Sequence, residues 1–147
     1  MSNWTHVAAV IRIDAIRLTN KKVNWDEIFG KECLWGSGRS IWEDMYEHPE
    51  KYLPHGSEGS LRKTIWTNPD KSSLASYTVT VFGDLRNHDN IDAIIDWFNK
   101  ACDKCMIRQA CITVRNEWFG VKTVEYDRSR PENIYNQNWD DDENSEE

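Results

Sequence analysis

No stretch of this sequence stays apolar for long enough to cross a bilayer as a helix. Met1 to Arg12 has neither the basic start nor the apolar centre of a secretory leader, so a cytoplasmic protein with no membrane partner is expected. Cysteine is scarce: Cys33, Cys102, Cys105 and Cys111 are the only four, and in that compartment they stay reduced. Cys102-Asp-Lys-Cys105 has CxxC spacing with Cys111 nearby, but there is no second CxxC and no paired histidine to complete a zinc site. A redox CxxC usually sits at a helix N-terminus, which lowers the thiol pKa; this one falls toward a helix C-terminus. Neither a metal nor any other cofactor is therefore expected, and Cys102 reads as a core residue. A GxSxG nucleophile elbow is missing as well.

An excess of positive charge is also absent. The formal net charge is −7, and its distribution is uneven. After Arg130 the chain holds no Lys or Arg but seven acids, Glu132, Asp140, Asp141, Asp142, Glu143, Glu146 and Glu147, so that residues 1–130 balance 18 acids against 18 bases. A nucleic-acid binder that works by displacing counterions needs clustered positive charge, so direct nucleic-acid binding is not expected. The acidity belongs to a tail, and the expected organisation is one domain over 1–127 followed by an acidic, largely disordered segment over 128–147. Tyr135 and Trp139 are the residues of that tail able to dock.

What the chain does have is large apolar side chains. Eight tryptophans and an aromatic content of 12% are enough to build a core without disulfides. Val7, Ala9, Ile11 and Ile13 alternate with polar residues as in a half-buried strand, and Ile16 and Leu18 fall out of phase, predicting a bulge near Ala15. Asn24 with Glu27 has the spacing of a capping box and starts a helix expected to run to about Trp35-Gly36. Ser40 with Glu43 repeats it for a second helical piece over Ile41–Glu47, stopped by Pro49. Arg62–Thr67 and Tyr77–Phe82 are strand-like, separated by the turn-forming run Asn68 to Ser73. Ile91, Ile94, Ile95, Phe98 and Cys102 recur at helical spacing behind an Asp89 or Asn90 cap. Two further strands follow, around Ala110–Val114 and Val121–Tyr126. The expected fold is α+β, in the ferredoxin-like βαββαβ order with an extra C-terminal strand, as an antiparallel sheet with helices on one face.

That order places three polar loops at one end of the sheet: His55–Ser60, Gly83–Asn90 and Asn116–Gly120. The candidate ligand-binding residues are therefore His55, Ser57, Ser60, Arg62, Arg86, His88, Asn90 and Trp118. A helix N-terminus beside arginines favours a phosphate, and an aromatic at a hairpin tip can stack on a base. Glu58, Asp84 and Asp89 oppose an anion there. The plainer reading of the same residues is a helix cap, turn glycines at Gly56 and Gly59, and solvated histidines. A small hydrolase built from His55, His88, Asp84 and Ser57 or Ser60 is a further alternative.

The segments "MSNWTHVAAVIRID", "LPHGSEGSL" and "FGDLRNHD" resemble a family of small proteins encoded by bacterial phages and prophages, over most of residues 1–115. The resemblance carries over no catalytic residue. What it implies is a setting, the host cytoplasm, and an accessory role of the kind that opposes host immunity. Two binding mechanisms fit that setting. In one, the polar end of the sheet sequesters a nucleotide-derived immune signal without catalysis, a homo-oligomer being one way to complete the pocket. In the other, the chain binds a host defence protein directly, with the acidic tail imitating nucleic acid in a basic groove.

Overall fold

The computed structural model describes residues 2–16, 23–33, 39–67 and 76–137, with 39–42 described by backbone alone. The expectations for the turn at 68–73, for the end of the first helix near Trp35-Gly36, and for the tail from residue 138 onward, Trp139 included, fall on residues outside the described ones.

Five strands form one sheet: β1 (Trp4–Ile16), β2 (Arg62–Thr67), β3 (Tyr77–Arg86), β4 (Cys105–Asn116) and β5 (Gly120–Glu125). Every pairing is antiparallel and the spatial order is β2-β3-β1-β4-β5. The alternation read from the sequence sets the faces. Val7, Ala9, Ile11 and Ile13 of β1 are buried, as are Val79, Val81 and Leu85 of β3 and Ala110, Ile112 and Val114 of β4. Register shifts between Arg12 and Ile13, and again between Ile13 and Ala15, form the irregularity expected near Ala15.

One helix dominates the covered face. α3 (Ile91–Cys102) is capped by Asn90, whose side chain accepts from the Ala93 N–H at 3.0 Å. Ile94, Ile95, Phe98, Ala101 and Cys102 are its buried stripe against the sheet, and truncating a side chain such as Phe98, fully buried here, costs about 3–5 kcal/mol.

The ferredoxin-like expectation is corrected by the first crossover. A βαββαβ unit sets one helix per crossover side by side on the sheet. Between β1 and β2 the chain instead breaks into α1 (Trp25–Phe29), α2 (Arg39–Glu47) and a 3-10 turn over Pro49–Lys51. Among the described residues strand outweighs helix, 45% to 22%, and they form mostly a five-stranded antiparallel sheet whose helix count and strand set do not make that fold. The breaks have local causes. Asn24 caps α1 as expected, accepting from the Glu27 N–H at 3.3 Å, but Gly30 takes φ +113 and ends it after five residues rather than near Trp35. Lys31 then pairs with Tyr52 in a parallel bridge, which extends the chain where a helix was expected.

The domain boundary also moves. Residues beyond 127 were expected to belong to the tail, yet Asn133 is 3% exposed and donates to the Cys105 carbonyl at 3.0 Å and to Tyr126 Oη at 2.9 Å. Arg130 pairs with the nearly buried Asp103 at 3.0 Å, and Tyr126 donates to the same carboxylate at 2.6 Å. Burial and that carboxylate push the Tyr126 hydroxyl pKa upward. The folded unit therefore extends through Asn136, whose side chain donates to the Arg130 carbonyl.

Candidate functional site

The glycine-rich corner Leu53–Arg62 is the obvious place for an anion, and its backbone is already engaged. Gly56 N–H donates to the Gly59 carbonyl at 3.0 Å, Ser57 N–H to the Arg86 carbonyl at 2.8 Å, and Arg86 N–H back to the Glu58 carbonyl at 2.9 Å. His55 and Ser60 close the loop as an antiparallel bridge. The glycines are there for close approach: a Cβ on Gly59, at φ +79, would lie 2.0 Å from the Asp84 carbonyl oxygen, and one on Gly56 2.2 Å from that of Arg86. The corner stitches the entry to β2 onto the end of β3.

The side chains there are spoken for too. Arg86 pairs with Glu58 at 2.7 Å and donates to Ser2 Oγ at 3.1 Å. Ser57 Oγ donates to the Arg86 carbonyl and accepts from Asn87. Ser60 Oγ donates to the Leu61 carbonyl and accepts from the Cys33 N–H. Asn90 is the α3 cap.

The remaining candidates are spread over the molecule. Arg62 points from β2 to the sheet face opposite α3, since its neighbour Leu61 is fully buried. Trp118 sits at the hairpin tip, 59% exposed, where Asn116 Oδ1 accepts from the N–H groups of both Trp118 and Phe119 at 2.9 Å. The hydrolase set does not assemble: Asp84 is held by His6 at 2.7 Å on the outer sheet face, away from the Ser57 hydroxyl bonded to Arg86. The CxxC thiols are fully buried, and burial raises both pKa values, Cys105 to about 12. Thiols so held are core groups, as the sequence suggests for Cys102. Among the described residues no cluster of three or more His, Cys, Asp or Glu side chains is arranged to hold a metal ion.

His55 and His88 belong to a different place. They line one end of a cavity of about 400 Å³ that runs along α3, between that helix and the first crossover. The volume falls in the range of small-molecule sites, about 300–1,000 Å³. Ala93, Trp97, Lys100 and Lys104 face it from α3 and the loop that follows, at spacings of four, three and four, a stripe next to the one that packs on the sheet. Phe29, Tyr52 and Leu53 supply the apolar wall from the crossover. Trp97 is fixed in place, its indole N–H donating to the Phe29 carbonyl at 2.7 Å. Tyr52 is likewise oriented by its hydroxyl, which donates to Asp44 and whose pKa that carboxylate raises to about 12.

Charge is sorted along the groove. Lys100 and Lys104 lie at the far end, near the C-terminus of α3, where the helix dipole favours cations. Lys104 Nζ donates to the Glu27 carbonyl at 3.1 Å and Lys100 meets Asp96 at 2.9 Å, both exposed contacts. At the near end, burial lowers the His88 pKa, helped by the neighbouring His55, and His88 Nδ1 is buried with no hydrogen-bond partner among the described residues. His55 Nδ1 donates to the Leu53 carbonyl at 3.3 Å, which leaves Nε2 of the neutral ring as an acceptor. A ring system pressed on the apolar wall, with an anionic group at the lysines, would complement this arrangement.

The fold and groove thus define an α+β protein with a cavity of small-molecule size along α3. Set against known proteins, the chain matches no protein-family model, no curated protein and no solved structure.

Sequence reasoning reached His55 and His88, and missed Lys100, Lys104, Phe29 and Tyr52. The α3 residues could have been found as a second stripe at helical spacing beside the apolar one. The crossover residues could not, because nothing local in Phe29 or Tyr52 says that they meet α3.

Proposed function

We propose that this chain is a non-catalytic binding protein that takes a nucleotide-like small molecule into the groove along α3. In the phage setting that its sequence resembles, the ligand would be a nucleotide-derived signal of host immunity, sequestered in the host cytoplasm. The observation that carries this reading is the groove itself: an apolar wall of Phe29, Tyr52 and Trp97 and a pair of lysines in one cavity of about 400 Å³. The wall suits a base, and Lys100 with Lys104 suits a phosphate. The acids Glu27, Glu50 and Asp96 on the rim favour a ligand with hydrogen-bond donors as well as negative charge.

The test is a thermal-shift and calorimetric screen of the full chain against cyclic dinucleotides, linear nucleotides and ADP-ribose derivatives, with and without magnesium. A shift abolished by the double variant Lys100→Glu, Lys104→Glu and retained in Arg86→Ala supports the groove. No shift across the panel overturns it. Bound ligand should return chemically unchanged after denaturation, and recovery of a hydrolysed product would replace sequestration with catalysis.

A second reading rests on a separate observation. Trp118, Phe119 and Val121 are 59%, 66% and 63% exposed at the β4–β5 hairpin, a concentration of apolar surface that suits a protein partner. Direct capture of a host defence protein would use that tip, and Trp118→Ala with Phe119→Ala would abolish it while leaving the groove ligand bound.

A further inference from the structure

The sheet face turned away from α3 is uncovered among the described residues, and its chemistry is distinct from that of the groove. Phe82 stands on β3, level with Arg62 of β2 on one side and Ala8 of β1 on the other. Its ring is 56% exposed in the interior of the sheet rather than at an edge. Ala8 and, beyond it, Thr113 are short, so nothing on that side of the sheet row is long enough to cover the ring. Trp66 adds a second exposed aromatic, 51% exposed, further along β2 on the same face.

The charges on this face are matched unequally. Asp84 and Glu117 are both taken by His6, at 2.7 and 3.5 Å, and Asp14 by Arg108 at 2.7 Å. Arg12 meets only the neutral Gln109, at 3.0 Å. Arg62, level with Phe82, and Arg115, on β4 beyond His6 and level with Asp84, are both exposed and form no ion pair among the described residues. Glu125, exposed on the edge strand, likewise forms no ion pair among the described residues. The uncompensated charge is therefore positive, on a chain whose net charge is −7. A second copy stacked face to face would oppose these arginines to their own equivalents, which argues for a polyanion instead. Exposed aromatic faces for bases, flanked by arginines for phosphates, are what an unpaired strand offers chemistry to and a duplex does not.

We propose that the outer face of the sheet is a binding platform for single-stranded nucleic acid, with a base stacked on Phe82 and the flanking phosphates held by Arg62 and Arg115. This goes against the expectation from overall charge, because the acids that set the net charge follow Arg130 in the sequence and none belongs to the strands of this face. It is independent of the groove, which lies on the other side of the sheet.

The test is fluorescence anisotropy of the full chain with a labelled pyrimidine single strand of about 12 nucleotides, against the matching duplex, between about 50 and 200 mM salt. The strand should bind more tightly than the duplex. Phe82→Ala should weaken it by about tenfold or more. Phe82→Leu should fail to restore it, because leucine keeps the apolar bulk and lacks the ring. Arg62→Ala with Arg115→Ala should reduce the slope of log K on log salt by about 1.4, while Lys51→Ala on the crossover leaves it unchanged. Circular dichroism checks that each variant is folded. The proposal is overturned by absence of binding at the lower salt, by equal affinity for strand and duplex, or by full rescue in Phe82→Leu. A dimer in sedimentation that Phe82→Ala dissociates would also overturn it, assigning the face to a second copy.

Discussion

The corner at Leu53–Arg62 and the groove along α3 meet at His55, yet they use polar residues in opposite ways. In the corner, the N–H groups of Gly56, Ser57 and Arg86 all end on backbone carbonyls, and Arg86 ends on Glu58. In the groove, Lys100 and Lys104 border open space with only exposed contacts to Asp96 and the Glu27 carbonyl, and His88 Nδ1 has no partner among the described residues. A buried polar group without a partner is costly and therefore usually engaged. A serine, glycine and arginine cluster in a sequence is thus at least as often a self-satisfied joint as a ligand cradle, and availability decides which.

The largest effect that sharpens this contrast is on the corner itself. Gly59→Ala forces a Cβ to within 2.0 Å of a backbone oxygen at a positive φ, and it should cost about 3 kcal/mol or more in urea unfolding. A loss below about 1 kcal/mol would mean the loop is loose enough to cradle something after all. Next comes the groove: a saturating nucleotide at about 100 times its dissociation constant should add about 2.7 kcal/mol to stability, and the Lys100→Glu, Lys104→Glu pair should remove that gain.

Arg86→Ala separates the two regions most directly. Its ion pair with Glu58 is largely solvent-exposed, so removal should cost about 0.5–1 kcal/mol and leave nucleotide binding unchanged. Loss of ligand binding in this variant would restore the corner as the site.

The smallest effects are in pH. His6 is held by Asp84 and its pKa is raised above 6.5, so its contribution is complete below 6.5 and disappears as pH rises through the folded value. His88 is the reverse: burial lowers its pKa, the unfolded chain takes up the proton first as pH falls below 6.5, and stability declines over that window. Histidine NMR titrations should place the His6 midpoint above 6.5 and that of His88 below it. Binding in the groove should lower the His88 midpoint further if the ligand excludes water there, and raise it if an anion sits beside it.

The elements that were legible in the sequence share a feature. β1, β2, α3, the caps at Asn24 and Asn90, and the irregularity near Ala15 depend on period and on residues three or four apart. The strand ends were underestimated, β3 running to Arg86 and β4 from Cys105 to Asn116, because pairing partners prolong strands past their apolar alternation. The ferredoxin-like reading failed where local signals were weakest, in a crossover that the Asn24 cap, Gly30 and Pro49 divide into short pieces. Of the candidate site residues, His55 and His88 came together as neighbours, while Arg62 and Arg86 went to the outer sheet face and Trp118 to the hairpin tip.

By itself, then, the sequence determined which segments are strands, where α3 begins, and that the acidity is confined to the end of the chain. All of these are carried by contacts within a few residues or by composition. Only the tertiary structure decided which polar groups are engaged and which are open, that Lys100 and Lys104 share a cavity with an apolar wall, and that Phe82 stands exposed beside Arg62. The reason is physical: whether a donor or charge is available depends on partners brought from as far away as His6 to Asp84 or Trp97 to Phe29, and no local pattern encodes that distance.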